Sequence, residues 1–259
     1  MVPFGIDTWT IPGEFQEGGP MAQVRLPIAN TGQEYVLHPS KIVCLGLNYR
    51  AHIAESLSVK ASGRAPDEPA EPVIFPKTPN VLIGSGETIH LPAILGTYDF
   101  GEPRTDYEGE MALIIGTTCK NVPPEDAMRY ILGFTCFNDV SQRNIQNGDR
   151  SGWFRGKSFD TFGPIGPRLV LQEDLGDPQR LHIETRVNGA VVQQSNTSEM
   201  IFDVPAIVSF ISRNFTLEEG DVIVTGTPSG VGPLSPGDIV EVEIEGIGTL
   251  ANPVVAEEG

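Results

Sequence analysis

The chain has 259 residues and a formal net charge of −17, with 17 lysines and arginines against 34 aspartates and glutamates. This charge excludes binding to a nucleic-acid backbone, which needs a basic face, and a 39% hydrophobic content excludes wholesale disorder. The 29 glycines and 22 prolines favour a turn-rich, mostly β fold with a few short helices over a helical bundle.

No stretch of the sequence predicts entry into a membrane or a secretory route. Residues 1–15 lack the basic and apolar regions of a secretory signal, and the apolar run 111–115 is far shorter than the roughly 20 residues of a membrane span. Cys44, Cys119 and Cys136 lie far apart and are odd in number. They argue against a disulfide framework or a zinc site and predict a reducing, cytoplasmic location.

The acidic composition has two equally good interpretations. Only five lysines are present, and a lysine-poor, acidic surface suits a high-salt cytoplasm, where hydrated carboxylates maintain solubility. An ordinary acidic enzyme from a mesophile is the alternative.

The first third of the chain predicts an appendage, a strand, a helical turn and a lid. Residues 1–40 are turn-rich with little periodicity, and we interpret them as a small N-terminal appendage to a catalytic domain over 41–259. Residues 41–46 predict a short apolar strand, and 48–55 predict a helical turn. The polar stretch that follows contains glycine and proline, and it predicts a lid over about 53–71.

The middle of the chain predicts a strand followed by a helix. Residues 105–116 form the strand, which is rich in β-branched residues at its end. Two prolines and two acidic residues at 123–126 suit the first turn of a helix. We expect this helix to run to about Leu132 and to end at Gly133.

The last third predicts a hairpin, a helix and further strands. An Asn188-Gly189 pair between two strand-like segments within 181–195 is typical of a type I′ turn. Asp203 is suited to cap the N-terminus of an amphipathic helix. Residues 239–245 alternate between apolar and acidic side chains, which indicates a half-buried strand. The elements add up to a mostly β roll with short helices.

Two glutamates on the strand predicted at 105–116 point to a buried charged site. Glu108 and Glu110 are two residues apart, so their side chains lie on the same face. Ala112 and Ile114 continue that face, which predicts that it points inward. Inward-facing carboxylates are costly unless a cation compensates them. The pattern alone gives equal weight to an edge strand whose acidic face lies in water.

A third carboxylate follows the next apolar stretch. Asp139 comes directly after residues 131–137, and an acid at this place is either a site residue or a turn cap. Together with Glu108 and Glu110 it forms a set of oxygen donors that suits a hard cation, Mg²⁺ or Mn²⁺, with open positions for water and substrate.

Six short motifs follow one another in the chain: Asn48-Tyr49-x-x-His52-x-x-Glu55, Phe75-x-Lys77-x-Pro79, Asp106-Tyr107-Glu108-x-Glu110, Phe137-Asn138-Asp139 with Arg143 and Gln146, Gly156-Lys157-Ser158-Phe159-Asp160, and Thr225-Gly226-Thr227-Pro228-Ser229-Gly230. In this order they resemble the fumarylacetoacetate hydrolase family over about residues 41–255. The resemblance implies an α+β fold, a mixed β-sandwich roll of the C-terminal type of that family, and a homodimer. It also implies Mg²⁺ or Mn²⁺ held by the residues matching Glu108, Glu110 and Asp139.

Three further residues are candidates for the chemistry. His52 and Glu55 are three residues apart on a helical turn, so they can share a face and hydrogen-bond. A glutamate beside an imidazole raises its basicity and prepares it to deprotonate water. The spacing alone favours a weak surface pair, whereas the resemblance favours a catalytic dyad. Lys157 is the candidate for stabilising a developing oxyanion.

Four residues are candidates for substrate binding. Arg143 and Gln146 are three residues apart after Asp139 and are placed to grip a substrate carboxylate, or they form a surface helix pair. Lys77 either holds the substrate or orders its loop. Thr227 lies in a Gly-Thr-Pro-Ser-Gly loop that can bind carboxylate oxygens, or the loop is an ordinary turn.

The sequence departs from the family pattern in two places. Relatives commonly have Ala-Arg-Asp where this chain has Gln142-Arg143-Asn144, and the missing acid leaves the geometry around Arg143 open. The first 35 or so residues match no family that we can name.

The resemblance implies an enzyme that acts on a small 2-oxo acid, with no nucleic-acid or membrane partner. The leading reaction is hydrolysis of a C–C bond in an acylpyruvate or fumarylpyruvate-type 1,3-diketo acid. Oxaloacetate-type decarboxylation and isomerisation of a 2-hydroxydienedioate share its enolate and are the alternatives. A family member that binds a ligand without catalysis is the alternative outside enzymes.

Overall fold

The structure is a computed structural model that describes residues 23–55, 68–149 and 152–258. Its strands are β1 Arg25–Pro27, β2 Glu34–Val36, β3 Ile42–Gly46, β4 Val73–Lys77, β5 Leu82–Ile83, β6 Ile89–Leu91, β7 Thr105–Tyr107, β8 Gly109–Ile115, β9 Ile131–Asn138, β10 Ser141–Gln142, β11 Gly163–Leu171, β12 His182–Val187, β13 Ala190–Asn196, β14 Val222–Val224, β15 Gly232–Pro233, β16 Ile239–Ile244 and β17 Gly248–Ala256. The α-helices are α1 Arg50–Glu55, α2 Arg143–Gly148, α3 Phe154–Lys157, α4 Gln172–Leu175 and α5 Val204–Asn214. Short 3₁₀ helices span Pro79–Val81, Ala93–Thr97, Pro124–Tyr130 and Thr197–Glu199.

Two large mixed sheets form the body of the protein. One has seven strands in the order β4-β3-β14-β8-β9-β11-β5, and the other has five in the order β13-β12-β16-β17-β6. Most neighbouring strands are antiparallel, whereas β14 pairs with β3 in parallel, as β11 does with β5 and β17 with β6. The prediction of a mostly β, mixed roll with a few short helices is confirmed.

Strand β8 lies in the middle of the seven-stranded sheet, and both of its faces are buried. On one face Met111 and Leu113 pack in a core cluster with Val242 of the five-stranded sheet and Ile207 of α5. On the other face Ala112 belongs to a second cluster. The alternative of an edge strand with a wet acidic face is therefore wrong for the strand that carries the predicted metal ligands.

The hairpin and the capped helix predicted in the last third of the chain are present. Strands β12 and β13 pair in an antiparallel hairpin, and Asn188 and Gly189 have φ angles of 53° and 79°, as a type I′ turn requires. The Asp203 carboxylate accepts a hydrogen bond of 2.8 Å from the amide of Ala206, and it thereby caps α5.

The helix predicted from 123 to about 132 is wrong in type and in its end. A 3₁₀ helix ends at Tyr130, and strand β9 begins at Ile131. Gly133, predicted as the helix stop, lies inside β9, where a Cβ atom would come within 2.3 Å of the carbonyl oxygen of Val170. The glycine is required by the close approach of β11, so a tertiary contact outweighed the local helix-stop signal.

The structure describes parts of the predicted appendage and lid. Residues 1–22 and 56–67 lie outside the described residues, so most of the lid predicted at about 53–71 does too. Strands β1 and β2 pair with each other, and Ile28 forms a β-bridge with Leu169 of the main body. The domain division and the homodimer stay predictions. Within the described ranges, no helix is long and apolar enough to cross a membrane.

Candidate active site

The three predicted metal ligands meet where β8 and β9 pair. Gly109 lies opposite Asn138 in this antiparallel pair, so Glu108 and Asp139 stand side by side just outside the two strands. The amide of Asp139 donates to the carbonyl of Glu108 over 2.9 Å. Side-chain oxygens of Glu108, Glu110 and Asp139 all lie within 4.8 Å of one another, and all three residues are buried. We call these three residues the carboxylate triad.

Three buried cations surround the triad. The Lys157 ammonium donates to Glu108 over 2.5 Å and to Asp139 over 2.6 Å. Lys77 donates to the other oxygen of Asp139 over 2.5 Å, and Arg143 contacts Glu108. Burial favours the neutral form of Lys157, but Asp139 and Glu108 outweigh it and raise the pKa of the ammonium. The lysine is therefore held in its charged form.

Glu110 differs from the other two carboxylates because its direct partner is a backbone amide. The Gly226 N–H donates to Glu110 over 2.5 Å. Burial raises the pKa of Glu110 well above its usual value, and the nearby charges of Asp139 and Glu108 raise it further. The pKa of Glu108, in contrast, is lowered despite burial, because Arg143 and Lys157 favour its ionised form. A further positive charge beside Glu110 would relieve this imbalance.

The triad fits a hard divalent cation. Its donors are carboxylate oxygens alone, which suit Mg²⁺ or Mn²⁺ better than softer metals. Burial and the charges of Asp139 and Glu108 disfavour the ionised form of Glu110, and a divalent ion bound there would compensate it. Glu108 and Glu110 both face a cavity, so the site leaves room for water or substrate oxygens.

His52 and Glu55 lie together on α1. The Nδ1 atom of His52 is 3.3 Å from Glu55 Oε1, and the amide of Gly230 donates to the same oxygen over 2.6 Å. Burial alone would raise the pKa of Glu55, but the hydrogen bonds from His52 and Gly230 outweigh it and lower the pKa below its usual value. The carboxylate is thus kept ionised beside the imidazole.

The predicted substrate-binding residues have protein partners already. Arg143 donates to Gln146 over 2.9 Å and to Asp106 over 2.8 Å. The ammonium of Lys77 lies behind Asp139, and it also donates to the Val140 carbonyl over 3.1 Å.

Thr227 is also held by the protein. Its hydroxyl donates to the carbonyl of Gly109 over 3.0 Å, which joins the loop containing Thr227 to the strand of the triad.

One cavity brings these groups together. It is lined by Leu45, Gly46, Leu47, His52, Phe75, Glu108, Glu110, Arg143, Gln146, Trp153, Lys157 and Thr227. Seven of the ten predicted site residues are in this set. Of the other three, Glu55 and Asp139 lie one hydrogen bond behind it, through His52 and Lys157, and Lys77 lies two hydrogen bonds behind it, through Asp139.

Sequence reasoning did not assign two residues that organise the site. Asp106 was part of a quoted motif but received no role, and it binds Arg143 and Arg104. Gln193 comes from strand β13 and is buried. Its side chain accepts from the Gly109 amide over 3.0 Å and donates to the Thr227 hydroxyl over 2.8 Å. No local sequence signal distinguishes Gln193 from its exposed neighbour Gln194.

The departure at Gln142-Arg143-Asn144 is accommodated by other contacts. Gln142 accepts from the amide of Ile145 over 2.8 Å and caps α2. Asn144 accepts from the amide of Arg104 over 2.8 Å. Asp106 supplies the acidic partner of Arg143, so the guanidinium is oriented although the usual acid is missing.

A mixed β roll with a buried carboxylate triad is the architecture of a protein that binds a divalent metal ion. The chain belongs to the fumarylacetoacetate hydrolase family, since residues 41–255 match the family model described as fumarylacetoacetate (FAA) hydrolase C-terminal. The resemblance seen in the sequence is confirmed.

Several similar proteins have names that indicate different reactions. The oxaloacetate tautomerase YisK of Bacillus subtilis is 39% identical over 224 residues, which cover 83% of this chain and 70% of YisK. A solved 2-hydroxyhepta-2,4-diene-1,7-dioate isomerase of Mycobacterium marinum is 42% identical with a TM-score of 0.73, over 88% of this chain and 83% of that one. A solved fumarylpyruvate hydrolase of Pseudomonas aeruginosa, in complex with Mn²⁺ and pyruvate, is 31% identical with a TM-score of 0.78, over 92% and 98%.

Proposed function

We propose that this protein is a Mg²⁺- or Mn²⁺-dependent enzyme that acts on small 2-oxo acids. We propose hydrolysis of the C–C bond of an acylpyruvate or fumarylpyruvate-type 1,3-diketo acid as its reaction. One observation carries the proposal: a buried carboxylate triad and the hydrogen-bonded His52–Glu55 pair meet at the same cavity. A hydrolase of similar fold that holds Mn²⁺ and pyruvate supports it.

Glu108, Glu110 and Asp139 would hold the metal. When bound there, the ion supplies Lewis-acid stabilisation to the oxygens of a 2-oxo acid and its enolate. The buried ammonium of Lys157, 2.5 Å from Glu108, adds positive charge next to the place where negative charge develops. Lys77 and Arg143 fix Asp139 and Glu108 and thereby keep the triad in place.

His52 and Glu55 would activate water. Glu55 accepts from Nδ1 of His52, which leaves Nε2 as the acceptor that takes a proton from a water molecule. The Gly230 amide holds the same Glu55 oxygen, so the pair is oriented before substrate arrives. The charge of Glu55 stabilises the imidazolium that results.

The bond changes balance without a further reactant. The water oxygen bonds to the distal carbonyl carbon of the 1,3-diketo acid, and the proton goes to His52. The bond between this carbon and the central methylene carbon then breaks, and its electron pair remains on the methylene carbon as an enolate. This carbon takes the proton back from His52. The products are pyruvate and the carboxylic acid of the acyl group, which releases the second proton of the water molecule to solvent and becomes a carboxylate.

A second candidate is the movement of a proton without cleavage. His52 and Glu55 can carry a proton between the carbon and the oxygen of a keto–enol pair as readily as they deprotonate water. The names of YisK, at 39% identity, and of the isomerase, at 42%, favour this candidate. Oxaloacetate-type decarboxylation passes through the same enolate and is included in the test.

A substrate panel separates these reactions. Acylpyruvates, oxaloacetate and 2-hydroxydienedioates are incubated with and without Mg²⁺ or Mn²⁺, and pyruvate, CO₂ and enol absorbance are recorded separately. The proposal predicts pyruvate from acylpyruvates, only with metal, and its loss in Glu110→Gln. An enol signal without pyruvate favours tautomerisation, and CO₂ favours decarboxylation. No turnover of any compound contradicts an enzyme and supports a ligand-binding protein.

A further inference from the structure

The cavity is lined by two chemically different sets of residues. One set carries the groups used above, among them His52, Glu108 and Lys157. The other set consists of Leu45, Gly46, Leu47, Phe75 and Trp153, which offer carbon surface. We call Phe75 and Trp153 the aromatic wall. The function proposed above gives this wall no role.

The aromatic wall is formed where strands β3 and β4 pack against the start of helix α3. The rings of Phe75 and Trp153 meet edge to face, with centroids 5.2 Å apart and an angle of 71° between the planes. A Cβ atom at Gly46 would lie 2.6 Å from the indole of Trp153, so a residue with a side chain there would displace the ring. The glycine therefore lets the indole lie against strand β3.

The aromatic wall begins next to the carboxylate triad. The Lys157 ammonium lies 4.9 Å from the centroid of the Phe75 ring, and the same ammonium binds Glu108 and Asp139. Trp153 packs against Phe75, and both residues line the same cavity as Glu108 and Glu110. A substrate whose oxo-acid end lies at the triad would therefore bring its acyl end close to these two rings.

The described cations of the cavity offer no free charge for a second carboxylate. Arg143 directs Nε to Asp106, Nη1 to Gln146 and Nη2 to Glu108. Lys157 is shared between two carboxylates of the triad. A carboxylate at the far end of the substrate would thus lie against aromatic carbon and lose hydration without compensation.

We infer that Trp153, together with Phe75, is a specificity-determining residue that selects acylpyruvates with an uncharged, apolar acyl group over those that end in a carboxylate. The inference rests on the proposed function and specifies its substrate class. An apolar acyl group buries its surface against the rings, whereas a charged end has no partner in the described part of the cavity.

Two acylpyruvates with the same number of carbon atoms test the inference. Butanoylpyruvate ends in a methyl group, and succinylpyruvate ends in a carboxylate. With Mg²⁺ present, we expect kcat/KM to be higher for butanoylpyruvate, and we expect Trp153→Ala to reduce this preference roughly tenfold or more. Trp153→Phe retains most of it because a ring remains. Phe154→Ala is the matched control, since Phe154 is the next residue and is 44% exposed.

Ligand binding can be followed without turnover. The chain has two tryptophans, so a Trp9→Phe variant leaves Trp153 as the only one. We expect 2-oxohexanoate to change the tryptophan emission of the Mg²⁺-loaded variant at lower concentration than 2-oxoadipate, which has the same number of carbons and a second carboxylate. The inference would be overturned if the two ligands changed the emission at equal concentrations, or if 2-oxoadipate did so at the lower concentration.

The two proposals fail in different ways. If neither acylpyruvate is hydrolysed, the proposed hydrolysis is wrong. The emission experiment then still tests whether the aromatic wall prefers an apolar end over a carboxylate. If both are hydrolysed but succinylpyruvate is preferred, or Trp153→Ala leaves the preference unchanged, the wall does not select the acyl group. Trp153→Phe keeps this test valid if Trp153→Ala does not fold.

Discussion

The carboxylate triad and the His52–Glu55 pair face one cavity but are held in different ways. The triad lies where two inner strands of the seven-stranded sheet, β8 and β9, meet at their ends. Its members are at most 4% exposed, and buried lysines and an arginine contact it. The pair lies on the six-residue helix α1, and the Glu55 side chain is 35% exposed. The metal site is thus part of the core, whereas the acid–base pair is held by fewer contacts, one within α1 and one from the Gly230 amide. Changes at the triad should affect stability as well as rate, whereas changes at the pair should affect mainly rate.

The largest effect is expected from Asp139→Ala. It leaves the ammonium groups of Lys77 and Lys157, which are 0% and 2% exposed, without the carboxylate that both contact. Breaking a buried ion pair in this way costs about 3–5 kcal/mol. Chemical denaturation of the metal-free protein measures the loss. Asp126→Asn is the control, because Asp126 forms a surface pair with Arg129, and it should cost about 0–1 kcal/mol. Equal losses in the two variants would contradict a core role for the triad.

The next effect is on rate alone. His52→Asn removes the group that accepts the proton, and kcat should fall by about 10²–10⁴-fold. The melting temperature and the affinity for Mn²⁺ should remain close to those of the wild type, because the side chain of His52 hydrogen-bonds to Glu55 and is not one of the three ligands. Steady-state kinetics and calorimetry give the three values. If His52→Asn instead lowers the affinity for Mn²⁺ and leaves kcat at saturating metal unchanged, His52 serves the metal site, and the distinction between triad and pair is wrong.

A smaller effect is expected at Gln193, which joins the β12–β13 hairpin to the strand of the triad and to the loop of Thr227. Gln193→Leu leaves the Gly109 amide and the Thr227 hydroxyl without their buried partner, at a cost of about 1–3 kcal/mol of unfolding free energy. Gln194→Leu, on the exposed side of the same strand, should stay within about 0.5 kcal/mol. Chemical denaturation compares the two. If both variants behave alike, Gln193 does not position the strand of the triad.

The smallest effect is the pH dependence that Glu55 contributes. Its pKa is lowered from the usual 4.5 in the folded protein, so above that value the carboxylate is ionised in both states and its contribution is constant. As the pH falls below 4.5 the unfolded chain takes up the proton first, and the contribution is lost. The difference in unfolding free energy between wild type and Glu55→Gln should therefore shrink below pH 4.5. A difference that grows on acidification would contradict this assignment.

The residue pattern and the family resemblance together were sufficient to predict the carboxylate triad, whereas the pattern alone left a wet edge strand equally open. Glu108 and Glu110 have the two-residue spacing of a strand face, and Asp139 follows the next strand of the same sheet. Strands β8 and β9 are neighbours in the sheet as well as in the chain, which is why three residues with this spacing come together. The hairpin turn at Asn188-Gly189 was predictable for the same reason.

Features that depend on distant contacts were not predictable. Gly133 was interpreted as a helix stop. It lies instead inside a strand, where Val170 of β11 comes too close to leave space for a side chain. Gln193 binds Gly109, which is 84 residues away in the chain, and nothing in its neighbourhood marks it. The sequence indicated Arg143 as a substrate contact, and only the structure shows that Asp106 and Glu108 share its guanidinium.

The central claim is that Glu108, Glu110 and Asp139 hold one divalent ion. Anomalous scattering from crystals grown with Mn²⁺ tests it directly. The account predicts one manganese peak at about 2.0–2.6 Å from an oxygen of each of the three carboxylates, the range that hard cations keep from such ligands. A peak that lies away from the triad, or that omits one of its members, would contradict it.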